Sequence, residues 1–437
     1  MKHRHACKTE IRKLYSYLNL ARAGKTVRRS AKCQMVDHAM HASAPEGDSV
    51  GPSGPGERLR TRLARALLSA SVVMIASVLT LLFGEIFVRV FVPTQRLVPL
   101  NEVILGVPAL RPDIREVHVV PHAFSVSYTT NAQRFRSAKL FAPFPDSRTI
   151  RVAVLGDSFT FGWGANDDQT YPSQLERLLN SKYGPAEVLN AGIPGIGTGD
   201  EALWYDLWVR RFHPNLVILT VVPNDTDDDL ARPLFTIDAS GGVNPKSAVQ
   251  RERFQSRTLT ARQFITELPG YDWLAKHSEL LNLFRGTMSG LIRRRHLRDT
   301  RASAGPAAFE TVGLRLLGGE VRWLDQQVRS SGAQLLVVFV PFRESVYGQA
   351  SKTNSVVGES LAMVDTLSRV CAQSNIPFRD LTSEMRSAGA GQPALFYTKY
   401  DMHPTPVGYQ VIADLVSSLV LDELHSRAQS PGLAKVR

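Results

Sequence analysis

From Ile150 onward, short apolar runs alternate with longer stretches of helical period, and this rhythm constrains the fold more than any other feature of the chain. The runs are IRVAVL, AEVLN, NLVILTVV, AQLLVVFV and IPFRD. Between and after them lie TYPSQLERLLNSKYG, DEALWYDLWVRRF, LRLLGGEVRWLDQQVRSSG, VVGESLAMVDTLSRVCAQS and PVGYQVIADLVSSLVLDEL. Strands that return through helices run parallel, and a parallel sheet is covered on both faces. The expected fold class is α/β: a three-layer α/β/α sandwich around a mainly parallel five-stranded sheet of flavodoxin-like type. Ligands of such sheets bind beyond the carboxyl ends of the strands.

A second apolar feature precedes this domain. Ala66 to Gly84, ALLSASVVMIASVLTLLFG, carries no charge over nineteen residues, enough at about 1.5 Å per residue to cross a hydrocarbon core of about 30 Å. It reads as one transmembrane helix. Arg58, Arg60, Arg62 and Arg65 crowd its N-terminal flank, and the positive-inside rule then keeps the preceding tail cytoplasmic and exports the remainder of the chain. No small-x-small cleavage site comes after the run before Glu85, which favours an uncleaved signal anchor over a removed signal peptide. Glu85 and Arg89 lie one helical turn apart and are placed to pair at the outer surface, with Phe83, Phe87 and Phe91 marking the interface.

These features divide the chain into a disordered basic tail over 1–57, an anchor over 64–92, a connecting segment over 94–148, the α/β domain over 149–425 and a flexible end over 426–437. The net charge of +12 invites a nucleic-acid reading, but residues 1–65 hold fourteen Lys/Arg against five Asp/Glu. Most of the charge is thus topogenic, and no nucleic-acid partner is expected. Cys7, Cys33 and Cys371 match neither a zinc site nor a disulfide framework. Between about 226 and 312 the alternation lapses, and a gap that long carries either function or its own small structure. SELLNLFRGTMSGLIRRRHLR inside it reads as helical and basic: a lid, a surface for anionic lipid or polymer, or a solvated excursion.

The chemistry lies in four short blocks. VLGDSFTFG ends the first strand, putting Asp157 and Ser158 at a strand-to-helix turn where a hydroxyl is exposed but needs a base. YDMHPTPVGY, just before the last helix, supplies His403 and, two residues earlier, Asp401. One short loop then gives both an imidazole and the carboxylate that orients it. Acyl transfer also requires donors for an oxyanion. NAGIPGIGTG after the second strand offers backbone N–H groups, and VVPND after the third offers the Asn224 amide. The glycine turn has neither the Lys-Ser/Thr ending of a P-loop nor dinucleotide-fold spacing. Each block alone has a bland explanation, a turn or a helix cap.

Together, GDSFTFG with Ser158, NAGIPG with Gly195, PND with Asn224 and DMHP with His403 stand in the order of the four blocks of the SGNH hydrolase (GDSL-type esterase/lipase) family. The chain resembles its membrane-anchored bacterial branch from about residue 150 to 425. The resemblance implies a catalytic triad of Ser158, Asp401 and His403 and an oxyanion hole of Ser158 N–H, Gly195 N–H and Asn224. Three departures stand out. Val222 replaces the usual glycine of the third block, the acid precedes the histidine by two residues with Tyr400 at the commoner position, and YTTNAQRFR carries Arg134 where anchored members have glycine.

The expected function is a serine-dependent ester hydrolase outside the cytoplasm, removing acyl groups, acetyl foremost, from an envelope or extracellular carbohydrate. The alternatives are an O-acetyltransferase using the same triad and a non-catalytic polysaccharide-binding module. No cofactor or metal is called for, Asp227, Asp228 and Asp229 reading as a solvated face. Expected partners are the ester or carbohydrate substrate, the inner membrane and components of an envelope assembly. Asp157 and Asp225 are read as holding turns and His213 as structural.

Overall fold

The computed structural model describes residues 55–92, 100–254, 268–288, 291, 295, 306–348, 355–390, 394–397 and 401–429. Residues 1–54 of the expected tail, with Cys7 and Cys33, lie outside the described residues, as do Tyr400 and 430–437. The chain divides into two compact units, 1–73 and 74–437. Of the first, residues 55–73 are described and are helical throughout.

Helix α1 (Pro55–Phe91) contains the apolar run. Its stretch Arg62–Phe91 is long and apolar enough to cross a membrane, with none of the apolar window buried. It is a candidate span by length and composition. The connecting segment forms two antiparallel hairpins. Strands β1 (Asn101–Ile104) and β2 (Val107–Leu110) make the first, and β3 (Arg115–Val120) with β4 (Phe124–Thr129) the second.

In chain order the α/β domain then runs β5 (Ile150–Leu155), α2 (Ser158–Phe161), α3 (Tyr171–Lys182), β6 (Ala186–Asn190), α4 (Thr198–Leu207), β7 (Leu216–Val221) and α5 (Asp225–Ala231). A hairpin of β8 (Phe235–Ile237) and β9 (Val243–Pro245) succeeds them. Next come α6 (Tyr271–His277), α7 (279–288), α8 (Pro306–Ser330), β10 (Gln334–Phe339) and α9 (Arg343–Tyr347). The domain closes with α10 (Ser355–Ser374), β11 (Phe378–Asp380), α11 (Thr382–Gly389) and α12 (Pro406–Gln429).

All five expected apolar runs are strands of one parallel sheet, ordered β6-β5-β7-β10-β11. In order of appearance that is 2-1-3-4-5, the flavodoxin-like arrangement, which reverses direction between β5 and β7. Alternate residues of each strand feed two separate cores. Ala153, Leu155, Val217, Leu219 and Val337 pack with α4, α8 and α10, while Val152, Val154, Ile218, Leu336 and Val338 pack with α3 and α12. Both faces are buried, which is why the strands read as nearly unbroken apolar runs.

Two local readings change. The stretch DEALWYDLWVRRF is not one helix: α4 stops at Leu207 and a 3-10 turn, Val209–Phe212, completes it. Pro214 excludes the right-handed helical region at His213, which turns left-handed with φ 46° and stacks on Phe144. The 226–312 stretch also does not leave the domain at once, because Leu234 and Phe235 join the core beside α8. Gly319 of α8 is held to glycine here, since a Cβ would lie 2.2 Å from Val243 Cγ2.

Candidate active site

The site lies at the carboxyl edge of the sheet, at the β5/β7 reversal. The chain leaves β5 through Gly156, where an added Cβ would lie 2.1 Å from Thr160 Oγ1, so only glycine lets α2 start immediately. Asp157 caps that helix, its Oδ1 accepting from Phe159 N–H at 2.8 Å. Ser158 is thereby left half-buried at the first position of the helix.

His403 reaches this serine from the loop before α12. Its Nε2 is 2.8 Å from Ser158 Oγ, and its Nδ1 is 2.8 Å from Asp401 Oδ1, which also accepts the His403 backbone N–H at 2.8 Å. The other Asp401 oxygen accepts from Trp163 Nε1 at 3.1 Å. Burial works against charge on Asp401, but the His403 and Trp163 contacts outweigh it and hold the carboxyl below the usual carboxylate range. An ionised carboxylate only accepts, so His403 Nδ1 carries the proton and Nε2 is free to take one from Ser158. A weaker contact, 3.1 Å, links Ser158 Oγ to Asp157 Oδ2. The hydroxyl has a single proton, and the shorter contact to His403 claims it.

The two other predicted site residues sit in the turns after β6 and β7, at the same carboxyl edge of the sheet. Gly195 sits exposed in the loop after β6 with φ 77°, and a Cβ there would meet open space. Its left-handed backbone, not crowding, calls for glycine. Asn224 begins α5, and its Nδ2 donates to Asp228 Oδ2 at 2.7 Å, which fixes the amide and leaves its second N–H for another acceptor. Val222, at the usual glycine position, does not take left-handed backbone and is fully buried in the core, so valine fits. Asp225 does hold this turn, accepting from Val222 N–H and the Thr198 hydroxyl, each at 3.2 Å.

The acidic run at 227–229 is not the solvated face expected. Asp228 and Asp229 are 5% and 3% exposed, because α5 packs them against the loop that opens α4, where Gly199 N–H donates to Asp229 at 2.9 Å. With Asp200, Glu201, Asp225 and Glu320 they form a buried acid cluster behind the site. Burial pushes Glu201, Asp225 and Glu320 well above the usual carboxylate range, and burial with the Asp200 charge brings Asp229 to about 7. Arg232 is the cluster's counterion. It pairs with Asp200 and donates to the Gly195 carbonyl at 3.2 Å, tying the glycine loop to α5.

The model of the GDSL-like lipase/acylhydrolase family matches residues 154–411, more than half of the sequence. The chain belongs to this family. No curated protein sequence matches this GDSL-like acylhydrolase. Among solved structures it is similar to a catalytic mutant of Axe2, an acetylxylan esterase from Geobacillus stearothermophilus, at 13% identity and TM-score 0.36, over 64% of this chain and 96% of that one. It is also similar to the acetyl xylan esterase AlAXEase, at 14% identity and TM-score 0.35, over 62% and 100% respectively. As a member of its family, the protein is a serine esterase with the SGNH fold.

Several residues of the site escaped the sequence reading. Trp163 orients Asp401 across 238 positions, a separation at which no spacing rule speaks. Arg136, fully buried, donates to the Phe161, Gly162 and Ala165 carbonyls, each at 2.6 Å, and lies over the Tyr128 and Phe161 rings. It clamps the turn that carries Ser158, which gives the YTTNAQRFR lead-in its purpose. Arg134 in the same segment has φ 65°, the conformation that makes glycine usual there.

Proposed function

We propose that this acylhydrolase cleaves acyl esters with Ser158 as nucleophile, His403 as general base and acid, and Asp401 as the group that orients and stabilises the imidazolium. The observation that carries the reading is the unbroken line of 2.8 Å contacts from Ser158 Oγ through His403 to Asp401. Ser158 Oγ attacks the ester carbonyl carbon while His403 Nε2 takes its proton. The oxyanion that forms is met by Ser158 N–H, Gly195 N–H and the second N–H of Asn224, donors worth about 3 to 4 kcal/mol each where measured. Collapse expels the alcohol, protonated by His403, and leaves an acyl-serine. Water, deprotonated by the same imidazole, then releases the acid and restores the serine.

The substrate class is argued from position. A domain carried behind a single span with Arg60, Arg62 and Arg65 at its other end is read as lying outside the cytoplasm. Esters carried by an envelope or extracellular carbohydrate are the substrates within reach, and acetyl is the favoured acyl group. The full chain in detergent, given p-nitrophenyl acetate and acetylated oligosaccharides, is expected to release acetate from both. Ser158→Ala is expected to lower kcat by roughly 10⁴-fold or more. Turnover that survives the substitution would refute the assignment, and acetyl groups appearing on an added unmodified oligosaccharide would make the acceptor a sugar instead of water.

A further inference from the structure

We infer that α7 lies in the surface of an anionic phospholipid bilayer beside α1, held there by Glu85. The inference rests on reading α1 as a membrane span. Glu85 and Arg89 of α1 do more than pair with each other at 2.6 Å. The Glu85 carboxylate accepts from the Ser278 hydroxyl at 2.8 Å, from Glu279 N–H at 3.0 Å and from Leu280 N–H at 3.1 Å. These are the first groups of α7, so a side chain of α1 acts as its N-cap, with a negative charge at the positive end of the helix dipole. Arg89 donates to the His277 carbonyl at the end of α6. One ion pair on α1 therefore holds the end of α6 and the start of α7.

The cap sets which face of α7 continues the apolar surface of α1. Leu280 packs over Gly84, where a Cβ would lie 3.3 Å from Leu280 Cδ2. Leu283, Phe284, Met288 and Leu291 recur at three- and four-residue intervals, so they share a face with Leu280. Away from Gly84 that face is open: Phe284 is 60% exposed and Leu291 56%. On α1 itself Phe83 and Val90 are 70% and 65% exposed. Arg285 lies off the stripe, over the Tyr271 ring, and the sequence continues into Arg293, Arg294 and Arg295. An apolar stripe continuous with a span and trailed at once by arginines suits a bilayer whose headgroups are anionic.

The test places a nitroxide on the full chain in phosphatidylglycerol/phosphatidylethanolamine vesicles, with Cys7, Cys33 and Cys371 replaced and p-nitrophenyl acetate turnover used to certify folding. Labels go at Phe284→Cys, at Val78→Cys in the span and at Asp365→Cys on the exposed face of α10. The ratio of collisions with oxygen to collisions with a polar nickel chelate is expected to be severalfold higher at 284 than at 365. Glu85→Ala is expected to bring the 284 ratio down toward that of 365. A water-like ratio at 284 with a lipid-like ratio at 78 would overturn the inference and leave the span intact. A water-like ratio at 78 would instead remove the span reading on which it rests. A label at 284 shielded from both reagents would mean a protein partner covers the stripe, and an unchanged ratio in Glu85→Ala would remove Glu85 from the account.

Discussion

In the proposed triad, Asp401 is held toward His403 by the His403 backbone N–H and by the Trp163 indole N–H. Removing its N–H while keeping an aromatic ring, as in Trp163→Phe, deprives a buried carboxylate oxygen of its donor, a loss of about 1.5 kcal/mol. The expected result is a fall in kcat of roughly tenfold with KM nearly unchanged, read from steady-state hydrolysis of p-nitrophenyl acetate. Asn224→Ala, which removes a proposed oxyanion donor, is expected to cost on the order of 10² to 10³ in kcat by the same assay. Equal rises in KM for either variant would place the residue in substrate binding. At this scale the sequence was legible where chemistry and order coincide, as at Ser158 and His403. Trp163 and Arg232 gave no signal, because their partners Asp401 and Asp200 lie 238 and 32 positions away, and Asp228 passed for part of a solvated acidic run although it stands one turn from Asn224.

The α2 turn depends on a strap that precedes it in sequence. Arg136 reaches three carbonyls of residues 161–165 and Asp167, and its guanidinium has no exposed surface. Arg136→Ala removes a donor from each of these carbonyls and leaves Phe161 O and Gly162 O only the weaker contacts from Asn190 Nδ2 at 3.4 Å and Ala165 N–H at 3.2 Å, a loss of the kind that costs about 1 to 3 kcal/mol per buried acceptor left short. The urea midpoint should fall accordingly, and activity should be lost even under conditions where the chain stays folded. Retention of both would show that water substitutes for the guanidinium. Strands were the most legible elements, since burial on both sheet faces makes each an apolar run bounded by turns. Helix ends were less so: Pro214 divided what periodicity alone joins, and the β8/β9 hairpin is too short for any pattern to announce.

The whole molecule carries a pH dependence set by its buried titratable groups. Glu201, with neither carboxyl oxygen hydrogen-bonded among the described residues, and its neighbours Asp225, Asp229 and Glu320 hold protons that the unfolded chain releases above its ordinary carboxylate range. Raised acids favour the folded state at low pH, and that stability is lost as pH rises through their folded values. His118 acts oppositely: burial pushes it down to about 4, so it lowers stability as pH falls from 6.5 toward 4. Above 6.5 only the acids remain. The urea midpoint is expected to drop between pH 6.5 and 8.5, and Glu201→Gln to lessen that drop. A flat wild-type profile would mean that the cluster is already ionised. An acyl-serine formed at Ser158 by His403 would be trapped by quenching the full chain in acid shortly after mixing with p-nitrophenyl acetate and mapping peptides by mass spectrometry. One added acetyl group is expected on the peptide containing Ser158, absent from Ser158→Ala and strongly reduced in His403→Ala. An acetyl group on another residue, or turnover with none on Ser158, would contradict the Ser158 assignment.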